Sequence, residues 1–364
     1  MSPIWTHRIE NVPTIANHAS AAVEHIIYSF GHYTLEDYDR KRPVVVHSLD
    51  TSTLEWSSVA YTYDSMDDIP FNRYGHTVIA DGNMIYLWGG RNYEHACNVF
   101  YAFNSLTLKW NRPKVSGITP DARARHSTAV CKRKMYIFGG YEADSERYFQ
   151  DVHSLDLDTF TWNYIVTDGI PPAGVMSPSL SCIDETLYVF GGRSGKEGPP
   201  YEEVSENSIV CLDLRSLTWS RPVTENAPSG RIGHSAFVFN KCIYIFGGYN
   251  DEFPGYSHFN DLHMYNPVAR EWTEVSTQAA PPCPRHGQSC HLVKSQLFLF
   301  GGMRSFVLLT DLFVLDLAAS LETLAKLVII KHGLSTTHIP ARIQKEISDM
   351  VKKQPRNSAD RKRS

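Results

Sequence analysis

Met135-Tyr136-Ile137-Phe138-Gly139-Gly140 is the stretch on which the reading of this chain turns. Four apolar residues, β-branched and aromatic among them, run directly into a glycine pair. That composition suits a buried strand, and the pair suits a place where another backbone comes close. The same run returns as Ile85-Tyr86-Leu87-Trp88-Gly89-Gly90, Leu187-Tyr188-Val189-Phe190-Gly191-Gly192, Ile243-Tyr244-Ile245-Phe246-Gly247-Gly248 and Leu297-Phe298-Leu299-Phe300-Gly301-Gly302. A further copy, Ile27-Tyr28-Ser29-Phe30-Gly31-His32, has lost the second glycine. The second glycines at 90, 140, 192, 248 and 302 set a unit of 50 to 56 residues. A period of this size marks a repeat architecture whose units bury a face only against their neighbours.

The rest of the unit repeats as well. Thirteen residues before the first glycine stands a histidine in Arg73-Tyr74-Gly75-His76, Arg123-Ala124-Arg125-His126 and Arg231-Ile232-Gly233-His234, with Arg285-His286-Gly287-Gln288 as a variant. After the glycines comes an alternating strand such as Asp151-Val152-His153-Ser154-Leu155-Asp156, and then a strand with one tryptophan: Trp56, Trp110, Trp162, Trp219 or Trp272. Each unit therefore reads as four strands, a to d. The last unit, around Gly301-Gly302, has no following tryptophan, but Ile4-Trp5-Thr6 at the other end of the chain has the pattern. The expectation is an all-β fold, a six-bladed β-propeller over residues 1–317. Its last blade is completed by the N-terminal strand, because closing the ring removes exposed edges. Arg73, Arg123 and His126 are expected to tie blades together. In the fourth unit Val175 and Pro178 replace the arginine and histidine, which predicts a locally different inner rim. Insertions at Thr34 to Pro43, Tyr61 to Asn72 and Ser194 to Ser208 are candidate binding-face elements, since loops on a rigid ring carry function.

Composition narrows the function classes. The chain has 364 residues, a net charge of −4 and 12% aromatic residues. It lacks the basic excess of a general nucleic-acid binder. Seven cysteines occur without a C-x-x-C pair, and no histidines are spaced H-x-x-x-H, so no metal or other cofactor is expected. Scattered thiols in odd number fit a reducing compartment, cytoplasmic and/or nuclear. No signal peptide is evident, and the apolar stretch Leu321 to Ile330 is interrupted by Glu322, Thr323 and Lys326, so no membrane span is expected. No nucleophile elbow, paired-carboxylate motif or phosphate loop is present, which argues against an enzyme.

After Asp316 the apolar period changes from two to 3.6. Leu321, Leu324, Ala325 and Val328 fall on one helical face behind a Ser320 cap, and Gly333 ends that segment. A second helix is expected to begin at Pro340, with Ile343, Ile347 and Val351 as its stripe. Residues 318–352 thus form a helical tail, and 353–364 a basic stretch with the composition of a disordered end. The segment from Ser320 to Ile329 resembles an elongin-BC-binding box, with Ala325 where the family usually has cysteine. Ile339-Pro340-Ala341-Arg342-Ile343 resembles the aliphatic-Pro-x-x-aliphatic box that selects cullin-2.

Together with Ile4-Trp5-Thr6, Ala96-Cys97-Asn98-Val99 and Tyr136-Ile137-Phe138-Gly139-Gly140-Tyr141-Glu142, these features make the whole chain resemble the Kelch domain-containing substrate receptors of cullin-2 RING ubiquitin ligases. The resemblance implies a non-catalytic subunit that docks elongin B/C through Leu321, Leu324, Ala325 and Val328. It implies docking of cullin-2 through Ile339, Pro340 and Ile343. It also implies that the propeller holds substrate proteins by glycine-ended C-termini, with arginine or lysine before the glycine in some receptors. Carried over by position, Arg193 and Lys196 bind the terminal carboxylate, with Arg231 and His234 beside it and Tyr141 and Tyr249 as walls. Glu142 and Glu197 are the candidate acidic partners for a basic degron residue. Ile232 stands where a related receptor uses a serine. A scaffold that binds cytoskeletal or chromatin partners without a ligase is the alternative.

Overall fold

The computed structural model describes residues 2–8, 12–31, 42–92, 94–195, 203–250, 257–318, 329 and 334–352. Six four-stranded antiparallel units form the ring: residues 19–58, 74–111, 127–164, 179–220, 235–274, and 289–316 together with Ile4–Arg8. In the third blade the order is Ser127–Cys131, Lys134–Phe138, Val152–Asp156 and Thr161–Tyr164, and Ser116–Gly117 adds a short parallel strand at the outer edge. The expected closure is present. Ile4–Arg8 pairs antiparallel with Leu312–Asp316, setting Trp5 opposite Leu315.

The repeated residues are those that join one blade to the next. The aromatic residue before each glycine pair packs on the tryptophan of the following blade: Phe30 on Trp110, Trp88 on Trp162, Phe138 on Trp219, Phe190 on Trp272, Phe246 on Trp5 and Phe300 on Trp56, with ring centroids 4.8 to 5.7 Å apart. Such tilted and edge-on pairs add to the apolar burial that drives the blades together. The last two pairs close the circle through the N-terminal strand and the first blade.

Beside these pairs the glycines let the next blade approach. A Cβ on Gly191 would lie 2.7 Å from the Arg231 carbonyl and 2.6 Å from the His234 ring, and its φ is +67°. No larger residue satisfies both conditions. The second glycine of each pair donates its N–H to the same position of the following blade: Gly90 to Arg123, Gly140 to Val175, Gly192 to Arg231, Gly248 to Arg285 and Gly302 to Ile15, at 2.8 to 3.0 Å. Val175 keeps this link although it lacks the arginine side chain, so the departure in blade 4 spares the backbone latch.

The inner strands face the axis, and backbone hydrogen bonds join five of the six neighbouring pairs of a belt around it. The N–H of Gly75 donates to the Asn17 carbonyl, Arg125 to Gly75, Ser177 to Arg125, Gly287 to Gly233, and Asn17 to Gly287, at 2.6 to 3.3 Å. The six belt residues, Asn17, Gly75, Arg125, Ser177, Gly233 and Gly287, all have φ between +52° and +65°.

At the other end of the chain the helix Ala341–Lys352 begins directly after Pro340, whose carbonyl accepts from the N–H of Ile343 and Gln344. Ile347 is buried and Ile343 half-buried. The first tail segment with Leu321, Leu324, Ala325 and Val328, and residues 353–364, lie outside the described residues. No helix among the described residues is long and apolar enough to cross a membrane.

Candidate functional site

The four arginines of the Arg-x-x-His pattern are structural. Arg231 is 1% exposed, and its guanidinium meets Asp261 in a two-pronged pair at 2.6 and 2.9 Å. It also donates to the carbonyls of Ser229 and Gly247. Arg123 with Asp151 and Arg285 with Asp311 repeat this arrangement. Arg73 instead lies over the Phe71 ring and donates to the carbonyls of Phe71 and Gly89. Burial alone would raise the carboxyl of Asp261, but hydrogen bonds from His263 and Arg231 outweigh it and hold the group well below the usual carboxylate range. The fork of Arg231 is thus taken up inside its own blade, not offered to a ligand.

This pairing yields a stability prediction. Asp261→Ala leaves a buried guanidinium uncompensated and should cost about 3–5 kcal/mol in urea unfolding. A loss under about 1 kcal/mol would mean that water or another group takes over the pair.

The histidines of the pattern are neutral wall residues. Burial pushes the His76 and His234 rings down to about 3, with the neighbouring arginine adding to the effect. The His126 ring joins blades through the Thr77 hydroxyl, 2.7 Å away.

On the axis, at the end of the ring where strands b and c connect, lies a cup of about 460 Å³. That volume is within the roughly 300–1,000 Å³ of small-ligand pockets. Among the described residues its wall is drawn from the axial belt, from His76, His126 and His234 below it, and from Tyr74, Tyr249, His286, Met303, Phe306 and Leu308 above. Tyr249 packs on His258 and on His286, with centroids 5.7 and 4.5 Å away, and His258 Nε2 lies 3.1 Å from His286 Nδ1. Burial pushes His286 down to about 4, with the neighbouring His258 and Arg125 acting in the same direction. The cup wall is therefore aromatic at this point, with Tyr249 beside a His286 ring that burial keeps uncharged.

Among the described residues its single arginine is Arg125. At the belt position of three other blades stands glycine, in the same left-handed conformation that Arg125 adopts at φ +57°. Among the described residues no carboxylate meets Arg125, and the one hydrogen-bond contact of its guanidinium is the Met176 thioether, at 3.9 Å. It is half-buried, in contrast to the saturated arginines beneath it. Sequence reasoning placed no role on Arg125, although its departure from glycine at the third place of the Arg-x-x-His unit was visible in the repeats.

The other expected residues divide. Tyr249 and His234 line the cup. Arg193 is 9% exposed and sits in a ladder where Val175–Met176 and Glu203–Ser205 flank Arg193–Gly195, off the described cup wall. Tyr141 packs on Tyr148, centroids 4.8 Å apart, also off that wall. The Glu142 carboxylate accepts from the Asp144 N–H and from the N–H and hydroxyl of Ser145, closing its own turn. The Ser145 hydroxyl and those N–H groups hold it below its ordinary range. Lys196 and Glu197 lie outside the described residues, as do residues 34–41 and 196–202 of the two insertions. The Tyr61 to Asn72 insertion starts at the outer edge of blade 2, where Thr62 bridges Lys109, and then packs on the first blade, where the Tyr61 hydroxyl donates to the Val44 carbonyl and the Val44 and Asn72 N–H groups donate to the Pro70 and Arg42 carbonyls. None of its residues is on the described cup wall.

Comparison with known proteins agrees with this architecture. The family model described as the KLHDC2/KLHL20/DRC7 Kelch-repeats domain matches residues 17–198 and 179–331. Kelch domain-containing protein 3 from Bos taurus and from Homo sapiens are each 39% identical to this chain over 367 residues, covering 95% of it and 96% of each relative. Acyl-CoA-binding domain-containing protein 5 of Arabidopsis thaliana is 32% identical over 58% of this chain and 33% of its own length. With six blades, five of them latched to the next through Gly-Gly, and a near full-length likeness to Kelch domain-containing protein 3, the chain belongs to the Kelch-repeat propeller family.

Proposed function

We propose that this protein is the substrate-recognition subunit of a cullin-2 RING ubiquitin ligase, and that its cup binds the free C-termini of target proteins, those ending in glycine above all. The observation that carries the reading is the half-buried Arg125 on the axial belt, a cation with no carboxylate partner among the described residues. The cup lies on the axis with the belt in its wall, and the reading has a target chain enter it by its end. The end of a chain brings a carboxylate, which matches a guanidinium fork, and two oxygens free to accept N–H or O–H donors. Tyr249 is such a donor on the wall. Close-set backbone at Gly75, Gly233 and Gly287 favours a terminal residue without a side chain. Arg193, on the rim ladder, is the second cation of this reading.

The ligase half of the proposal rests on the tail. The helix from Ala341 presents Ile343 after Ile339-Pro340, in the order of a cullin-2 box, and Leu321 heads the preceding elongin-BC box. The subunit acts by holding the target, not by catalysis, in the cytoplasm or nucleus where the ligase operates. Leu321→Arg places a charge where an apolar contact is expected and should reduce co-purification of elongin B/C and cullin-2 at least about 100-fold, with peptide binding by the propeller unchanged. Undiminished recovery of both partners with the variant would leave a non-ligase scaffold as the reading.

A further inference from the structure

We propose that Phe306 is a specificity-determining contact of the cup, taking an apolar side chain of the bound peptide a few residues before its C-terminus. The inference rests on the C-terminus reading above and extends it to the residue class preferred upstream.

The hairpin that connects strands b and c of blade 6 is short. Met303–Arg304 pairs with Val307–Leu308, leaving Ser305 and Phe306 as a two-residue turn. Both turn residues have positive φ, +46° and +67°. Turns of this kind favour asparagine followed by glycine, because a Cβ in the left-handed region is disfavoured. The ring has other two-residue turns with positive φ, but Lys132-Arg133, Asp184-Glu185 and Asn240-Lys241 place polar or charged side chains there, which water solvates. Phe306 differs. It holds the same disfavoured conformation, its side chain is 83% exposed, and it stands on the wall of the cup. Neither turn geometry nor core packing calls for an aromatic residue at that point.

Its neighbours extend the surface. Met303 and Leu308 line the cup with it, and Val307 is 64% exposed. Blade 6 stands across the six-membered ring from blade 3, which carries Arg125. The cup thus has a cationic side and an apolar side. A peptide whose terminal carboxylate is held by Arg125 leaves toward the rim with successive residues about 3.3 Å apart if extended. One of the next few side chains then meets the blade 6 hairpin, and an apolar one removes the Phe306 face from water.

The test uses the full chain and fluorescein-labelled ten-residue peptides of serine and glycine ending in Arg-Gly with a free carboxylate. A single leucine replaces serine at the third, fourth or fifth place from the end, and affinity is read by fluorescence anisotropy. For the wild type we expect leucine to strengthen binding about 5- to 10-fold at one of these places. Phe306→Gly should abolish that gain, so that within the variant the leucine and all-serine peptides bind with a ratio of about one. The same variant should match or raise the thermal midpoint, because glycine suits the turn. A role confined to the fold would instead lower the midpoint. The inference fails if leucine gives no gain in the wild type, if Phe306→Gly keeps the leucine gain, or if it weakens all peptides equally. Absence of any binding by the wild type would overturn the C-terminus reading, and the Phe306 contact with it.

Discussion

A chain shortened to begin at residue 9 is expected to lose its folded, monomeric state. Ile4–Arg8 is the outer strand of blade 6, and its removal exposes the whole edge of Leu312–Asp316. An unpaired strand edge is a template for association with other chains. The strand is also bolted to the preceding linker, where Trp5 N–H donates to the Gln278 carbonyl and Gln278 N–H to that of Pro3. Trp5 is 3% exposed and packs on Phe246 and Phe313, with centroids 5.4 and 6.2 Å away. Truncating such a residue to alanine costs about 3–5 kcal/mol. Losing the strand as well consumes an amount comparable to the whole net stability of a domain, about 5–15 kcal/mol. Size-exclusion chromatography should show aggregate in place of monomer, and calorimetry should show no cooperative transition at the wild-type temperature. Trp5→Ala is the milder form and should remain soluble with a lowered midpoint. If the shortened chain elutes as a monomer and melts like the full one, the ring does not depend on this closure.

The closure was legible because a ring of repeats counts its own parts: one tryptophan was missing after Gly302 and one stood unassigned at residue 5. The aromatic and glycine positions could be read in the same way, since each serves the junction with the next blade and so recurs at every junction. The site was less legible, because what matters there breaks the repeat. Arg231 and Arg125 both stand in an Arg-x-x-His segment, and nothing in either residue says which one faces the axis. The difference lies in distant partners. Asp151, Asp261 and Asp311, each directly before a third strand, supply the second prong for Arg123, Arg231 and Arg285, so those arginines turn inward. Arg125 has no such aspartate and takes a backbone position held elsewhere by glycine. Glu142 was read as a ligand for a basic residue, but three hydrogen bonds within its own hairpin occupy it. A local partner two or three residues away outcompetes a distant one, and residue type alone does not reveal that.

Replacing Arg125 should therefore separate binding from folding in a way no other arginine of the inner strands allows. Arg125→Gly puts glycine at φ +57°, where it is at ease, and the belt hydrogen bonds use only backbone atoms. The thermal midpoint should stay within about 3 °C of wild type. Binding of a glycine-ended peptide with a free carboxylate should fall sharply. Truncating one partner of a desolvated charge pair costs about 2–5 kcal/mol, or roughly 30- to several-thousand-fold in affinity. Amidating the peptide removes the same interaction from the other side, because the amide is neutral and turns an N–H toward the guanidinium. The two changes should not add: once Arg125 is gone, amidation should cost little more, and once the peptide is amidated, Arg125→Gly should change little. Arg125→Lys keeps the charge but loses the two-pronged fork, so it should bind with intermediate strength. Undiminished binding by Arg125→Gly, with amidation still destructive, would move the carboxylate to another cation, and Arg193 on the rim ladder would be the next to replace. If amidation leaves affinity unchanged in the wild type, the cup does not read the chain end, and the half-buried cation in its wall needs a different anion.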